Sequence, residues 1–265
     1  MPDSSAITVD AITVQYGRRT VLDGVSVSVA PGEIRVILGT SGCGKTTLLK
    51  AMIGLLQPVR GRVTIFGNRI TEIDAPITVD TLKHVGVLFQ NGALLGSLTV
   101  GENVALPLQM HTHLSKNMVR ELVQFKLSQV DLPNAYSLYP QELSGGMRKR
   151  AALARALVLD PPIVFCDEPS AGLDPVTSAG LDNLLLRLRA NLHITIVVVT
   201  HELASIQTIA DRVLFLQNGK ALFDGALTAA LEVSEGPVYD FFNRLERTVP
   251  AENKPADFFN VENIV

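Results

Sequence analysis

An α/β fold, a mixed sheet flanked by helices, is predicted by three features of the chain. Strand-length apolar runs recur without polar alternation, as in Ile34–Leu38, Ile163–Cys166 and Ile194–Val199, the pattern of strands buried on both faces. A glycine-rich loop, residues 39–44, joins the first of these runs to a helical stretch. Between about Val100 and Leu138 the spacing turns helical and more polar, which predicts a helical lobe inserted into the α/β core.

Each element follows in order. Ile7 to Val14 alternates apolar and polar side chains and Val25 to Val29 repeats the alternation, so both read as half-buried strands. Ile34 to Leu38 leads straight into the glycine loop, and Lys45 to Ile53 reads as a helix that Gly54 stops. Gly61 to Gly67 is a strand bounded by glycines, and Val85 to Phe89 is another, ending at Gln90. Pro107 and Pro133 punctuate the helical lobe. Residues 163–168 and 194–200 read as buried parallel strands. Asn218-Gly219, between Arg212–Gln217 and Lys220–Phe223, signals a hairpin. From Glu246 onward the chain is polar and proline-bearing before an apolar-tipped end. The expected organisation is one domain over 1–245, with the helical subdomain at about 91–157, and a C-terminal extension over 246–265.

Composition narrows the class. The chain has 265 residues, 47% hydrophobic and 18% charged, the proportions of a folded globular protein. A net charge of −3 gives no general attraction to nucleic acid. The apolar runs fall far short of the ~20 residues a membrane helix needs. Met1 to Ser5 has no basic stretch followed by an apolar one. The chain is therefore expected to stay in the cytosol without crossing a membrane itself. Cys43 and Cys166 both lie inside motifs and read as small space-filling residues, not as a disulfide. A sharper reading makes Cys43 a thiol whose alkylation blocks the loop. His111 and His113 stand two apart and do not share a helix face, which argues against a metal pair. His84 and His193 read as ordinary exposed positions.

Gly39-Thr40-Ser41-Gly42-Cys43-Gly44-Lys45-Thr46 completes a G-x-x-x-x-G-K-[ST] loop in the strand–loop–helix context that gives the motif its meaning. Its backbone N–H groups and the following helix N-terminus make a phosphate cradle. Lys45 is expected to reach the β- and γ-phosphates and Thr46 to place its hydroxyl on Mg²⁺; Thr47 is a further hydroxyl in the first turn. Four apolar residues then lead to Asp167-Glu168. Asp167, at a strand's carboxyl end, suits the magnesium shell. Glu168 leaves the strand on the other side and is free to polarise a water. These features describe a P-loop NTPase with ATP and Mg²⁺ as its cofactors. A second glycine-rich cradle, Leu143-Ser144-Gly145-Gly146-Met147, precedes the basic, alanine-rich run Arg148–Ala156. Two cradles in one chain imply a nucleotide held from two sides.

Tyr16 follows the first strand, Ser170-Ala171-Gly172-Leu173-Asp174 follows Glu168, and His201 follows the run 194–200. In order and spacing, over roughly residues 6–240, these motifs closely resemble those of the ATP-binding subunits of ABC transporters. The resemblance implies an ABC-type ATPase fold, with an antiparallel β subdomain and an inserted α-helical signature subdomain. It implies that Tyr16 stacks on adenine and that Gln90 touches magnesium and the attacking water. Ser144, Gly145 and Gly146 would contact the γ-phosphate of ATP bound to the other subunit of a homodimer. Asp174 would couple the two sites, and His201 would hold the γ-phosphate and orient Glu168. One departure stands out: the signature's usual last residue is glutamine, here Met147, which removes an amide on the ribose side.

The runs 89–108 and 142–150 resemble, more narrowly, the MlaF-type ATPases that drive Mce-type lipid transporters. That implies phospholipid moved between the inner and outer membranes, powered from the cytoplasmic face of a bacterial inner membrane. The implied partners are an integral-membrane permease, an Mce-type lipid-binding protein and a small STAS-domain protein. The tail, with Phe258, Phe259 and Ile264, reads either as a frayed end or as a hook into a neighbouring subunit. Three alternatives stay open. One is an ABC ATPase for small solutes. Another is a soluble ABC-type ATPase of DNA repair or translation, against which the lack of a heptad run and of a second ATPase domain argues. The last is a regulatory nucleotide-binding module, against which Lys45, Asp167, Glu168 and His201 argue.

Overall fold

The computed structural model describes residues 5–70 and 74–245. The aromatic-tipped tail, Phe258, Phe259 and Ile264 included, lies outside the described residues. The strands are β1 (Ile7–Tyr16), β2 (Arg19–Val29), β3 (Ile34–Gly39), β4 (Arg60–Ile65), β5 (Asn68–Ile70), β6 (Val85–Leu88), β7 (Ile163–Asp167), β8 (Thr195–Val199), β9 (Arg212–Gln217) and β10 (Lys220–Ala226). The helices are α1 (Lys45–Met52), α2 (Pro76–Leu82), α3 (Val100–His111), α4 (Lys116–Gln129), α5 (Gly145–Leu157), α6 (Pro175–Leu192), α7 (Leu203–Ile209), α8 (Leu227–Leu231) and α9 (Gly236–Phe242).

Two sheets result. The larger is six-stranded, in the order β10-β9-β3-β8-β7-β6, with β6, β7, β8, β3 and β9 parallel and β10 antiparallel at the edge. The smaller is antiparallel, in the order β2-β1-β4-β5. Every residue of β3, β7 and β8 is buried, which explains their unbroken apolar runs. Side chains of β3 alternate between two cores, because successive strand residues face opposite ways. Val36 and Leu38 pack toward the helical lobe and α6, while Ile37 packs with α1 and the antiparallel sheet. The Asn218-Gly219 hairpin forms as expected, with both residues at positive φ (49° and 76°).

One difference from expectation and two features of the helical lobe have local causes. Strand β2 begins at Arg19, six residues before the alternation becomes legible. Its register against β1 shifts between the Ile12–Val25 and Val14–Leu22 pairs, next to Gly24 at φ 65°, and such a bulge hides a period of two. Pro107 does not end its helix; α3 continues to His111, with Val104, Ala105 and Leu108 buried on either side of the proline. The segment between β6 and α3 is tied down by one side chain. Asn103 is fully buried; its amide donates to the carbonyls of Leu95, Leu98 and Thr99 and its oxygen accepts from the Leu95 N–H.

Candidate nucleotide site

The carboxyl ends of β3, β6, β7 and β8 deliver the glycine loop, Gln90, Asp167-Glu168 and His201 to one edge of the sheet, where ligands of open α/β sheets bind. The loop's glycines are geometric necessities at two positions. Gly39 has φ 143°, and a Cβ there would stand 2.0 Å from the Leu216 carbonyl oxygen. Gly44, which begins α1, has φ 108°, and its Cβ would stand 2.6 Å from Leu22 Cδ2. The Lys45 ammonium arches back over its own loop, donating to the carbonyls of Gly39 (2.9 Å) and Thr40 (3.0 Å). A cavity of about 680 Å³ lies over the loop, within the range of ligand sites.

The adjacent acids diverge. Asp167 is buried and receives the Thr46 hydroxyl at 3.4 Å. Burial, then the charge of Glu168, pushes its carboxyl up, against the Thr46 bond and the Lys50 and Lys149 cations. Glu168 sits in the left-handed region (φ 47°), with its N–H donated to the Val199 carbonyl at 2.8 Å and its Oε1 2.8 Å from His201 Nδ1. A non-glycine residue in that region is uncommon, and here it turns one carboxylate to Thr46 and the next to His201. Thr46 and Asp167 present paired hard oxygens of the kind Mg²⁺ takes, at a place where a cation would offset the charge pressing on Asp167. Behind them, burial pushes the Cys166 thiol up to about 12.

Gly39, Thr40, Ser41, Gly42, Gly44, Lys45, Thr46 and Thr47 thus share one cavity with Gln90, Glu168 and His201. Cys43 is turned beneath the loop instead, its Sγ 2.9 Å from where a Gly39 Cβ would be. It is buried, and burial raises its thiol despite Lys45. The space-filling reading fits this buried placement. Tyr16 closes β1 opposite Arg19, half exposed and outside the cavity lining.

Ser144, Gly145 and Gly146 stand elsewhere. Ser144 caps α5, accepting from the Met147 N–H at 3.3 Å. Gly145 lines a separate cavity of about 360 Å³ with Gln90, Asn91, Arg148, Lys149 and the turn 171–173. Asp174 caps α6, accepting from the N–H groups of Val176 and Thr177, and the Thr177 bonds hold its carboxyl below the usual range. His111 and His113 are exposed, one closing α3 and the other past its end.

Sequence reasoning missed Val21 and Phe241, which also line the main cavity. Phe241 is set by an edge-to-face contact with Phe215, ring centres 5.5 Å apart. It also missed Lys149, a buried lysine on α5. A lysine among alanines in a basic run carries no mark of burial in the sequence.

The family described as ABC transporter matches residues 22–171. The chain belongs to the ABC transporter family. It is 41% identical over 243 residues to the probable ribonucleotide transport ATP-binding protein mkl of Mycobacterium leprae, covering 92% of this chain and 70% of that one. It is 38% identical over 239 residues to the intermembrane phospholipid transport system ATP-binding protein MlaF of Haemophilus influenzae, covering 90% of each. Among solved structures it resembles a dimeric ATP-binding cassette in a post-hydrolysis state bound to ADP and phosphate, at 30% identity and TM-score 0.76 over 83% of this chain and 98% of that one. This ABC protein is thus the ATP-binding, ATP-hydrolysing subunit of a transporter. No helix among its described residues is long and apolar enough to cross a membrane.

Proposed function

We propose that this ABC ATPase works as a homodimer that powers phospholipid transport between the two membranes of a bacterial envelope. It would act at the cytoplasmic face of the inner membrane, through a separate permease. The observation that carries this reading is the match over 90% of both chains to the MlaF relative. A groove of about 300 Å³ between β6 and the helical lobe, lined by Gly86, Phe89, Pro107, Arg155 and Leu159, offers the permease a seat beside Gln90. An Mce-type lipid-binding protein and a small STAS-domain protein complete the proposed assembly. The name of the mkl relative favours a second reading, in which the cargo is a ribonucleotide.

The chemistry follows from the chain's own groups. The loop N–H groups and Lys45, which exchanges its two carbonyl partners for phosphate oxygens, bind the triphosphate. Tyr16 is assigned to the adenine. Thr46, Asp167 and Gln90 would hold magnesium, which supplies positive charge against the phosphate oxygens. Glu168 takes a proton from the attacking water. His201 holds that carboxylate in place through the 2.8 Å contact. Gly145 lines a second cavity, and none of Ser144, Gly145 and Gly146 lines the one over the loop of their own chain, which supports the assignment of this second cradle to the ATP of a partner subunit, with Asp174 relaying between the two sites.

The test is to purify the complex from membranes, confirm phosphate release from ATP, and identify bound small molecules by mass spectrometry. Enriched phospholipid is expected. Bound ribonucleotide beyond the ATP sites, with no lipid enrichment, overturns the cargo assignment in favour of the second reading.

A further inference from the structure

Lys149 lies on α5, one helical turn past Gly145, and is only 6% exposed. Among the described residues its ammonium has no carboxylate at bonding distance. It donates instead to two main-chain carbonyls, those of Gln90 and Glu168, the latter at 3.1 Å. The first acceptor follows β6 and the second follows β7, so one cation joins the signature helix to both segments that would handle the attacking water. An ammonium is costly to bury and burial lowers its pKa, partly offset by nearby Cys166, Glu168 and Asp167. Of the other basic residues of α5, Arg148 is exposed and Arg150 and Arg155 are half-buried.

The acceptor at Glu168 gives the contact its meaning. A left-handed backbone persists at a non-glycine residue only where its surroundings over-determine it. At Glu168 the N–H is held by the Val199 carbonyl, and the carbonyl accepts from both the Lys149 ammonium (3.1 Å) and the Ala171 N–H (3.2 Å). Both peptide groups flanking the strained residue are therefore fixed, and the carboxylate is left aimed at His201. Removing the ammonium leaves the Glu168 carbonyl with the Ala171 N–H as its donor and takes the lysine donor from the Gln90 carbonyl.

We propose that Lys149 is a positioning residue for ATP hydrolysis, its ammonium holding the Gln90 and Glu168 carbonyls so that the signature helix sets where the proposed base points. The inference rests on the assignment of Glu168 and Gln90 to the attacking water. Lys149→Met keeps the side chain's length and apolar stem and removes the donors; Lys149→Arg keeps the charge and donors; Lys149→Gln keeps a neutral donor.

Phosphate release by the transporter complex should show kcat reduced about 10-fold or more in Lys149→Met, as a displaced catalytic group would cause. KM for ATP and the melting temperature should change little, and Lys149→Arg should recover most of the loss. Turnover within twofold of the unmutated complex in Lys149→Met overturns the proposal, as does the same result in Lys149→Gln if the methionine variant does not fold. A loss that tracks the melting temperature and is not recovered by arginine also overturns it, as simple destabilisation. Full activity in Glu168→Gln would instead remove the assignment beneath it, a separate failure.

Discussion

The glycine loop and the signature segment are both anion cradles at helix N-termini, yet their settings differ. Around the loop, the chain supplies nearly everything a triphosphate needs: Lys45 already bridging two carbonyls, Thr46 against Asp167, and Glu168 against His201. Around Ser144 to Gly146, the described residues supply a serine cap and two glycines and no acid–base pair. In the proposed function one cradle binds and cleaves ATP and the other completes the partner's site. Hydrolysis can then depend on two surfaces meeting, which is what a transporter needs if ATP cleavage is to follow closure.

The largest effect should come from separating the two functions within the loop's half. Glu168→Gln keeps the shape and removes the base, so turnover should fall ~10²- to 10⁴-fold while ATP stays bound. Stopped phosphate release beside equilibrium ATP binding checks it, and unchanged turnover would break the comparison at its catalytic end.

Mixed dimers sharpen the comparison next. One subunit carries Lys45→Ala and the other Gly145→Asp, which sets a carboxylate where an anion is expected. If each site draws on both chains, one site stays whole and about half the activity survives, whereas both changes on one chain beside an unmutated partner abolish it. Intrachain sites would reverse the two results.

The smallest effect separates capping from chemistry. Thr99→Ala removes the α3 cap, whose hydroxyl accepts from Glu102 N–H at 3.2 Å. It should cost about 1 kcal/mol, a drop of roughly 2–4 °C in melting temperature, with turnover kept. Ser144→Ala removes a like cap from α5 and should cost about the same in stability, but should also lower turnover. Equal turnover in the two would deny the signature any role beyond ending a helix.

Legibility in the sequence followed the kind of constraint. The loop was readable because its glycines answer to backbone geometry: at Gly39 any side chain meets the Leu216 carbonyl, so the residue type announces the conformation. The strands β3, β7 and β8 were readable because burial on both faces leaves only apolar residues. Strand β2 was half readable, because a bulge at Gly24 interrupts the alternation. Phe241 and Val21 were not readable as cavity lining, since each comes from a distant segment and packing alone brings it to the loop.

The chain's own order of residues determined the phosphate loop, the paired acids, the second cradle and the α/β class, all of which depend on neighbours within a few positions. Only the folded molecule decided that Asp167 and Glu168 turn to different partners, that Cys43 lies under the loop, and that Lys149 is buried against the segments that follow β6 and β7. Those outcomes depend on groups far apart in the chain, up to 121 residues for the Thr46–Asp167 contact. No local pattern encodes them, because the low-dielectric surroundings and fixed geometry that give them force exist only once the sheet and the helical lobe have closed together.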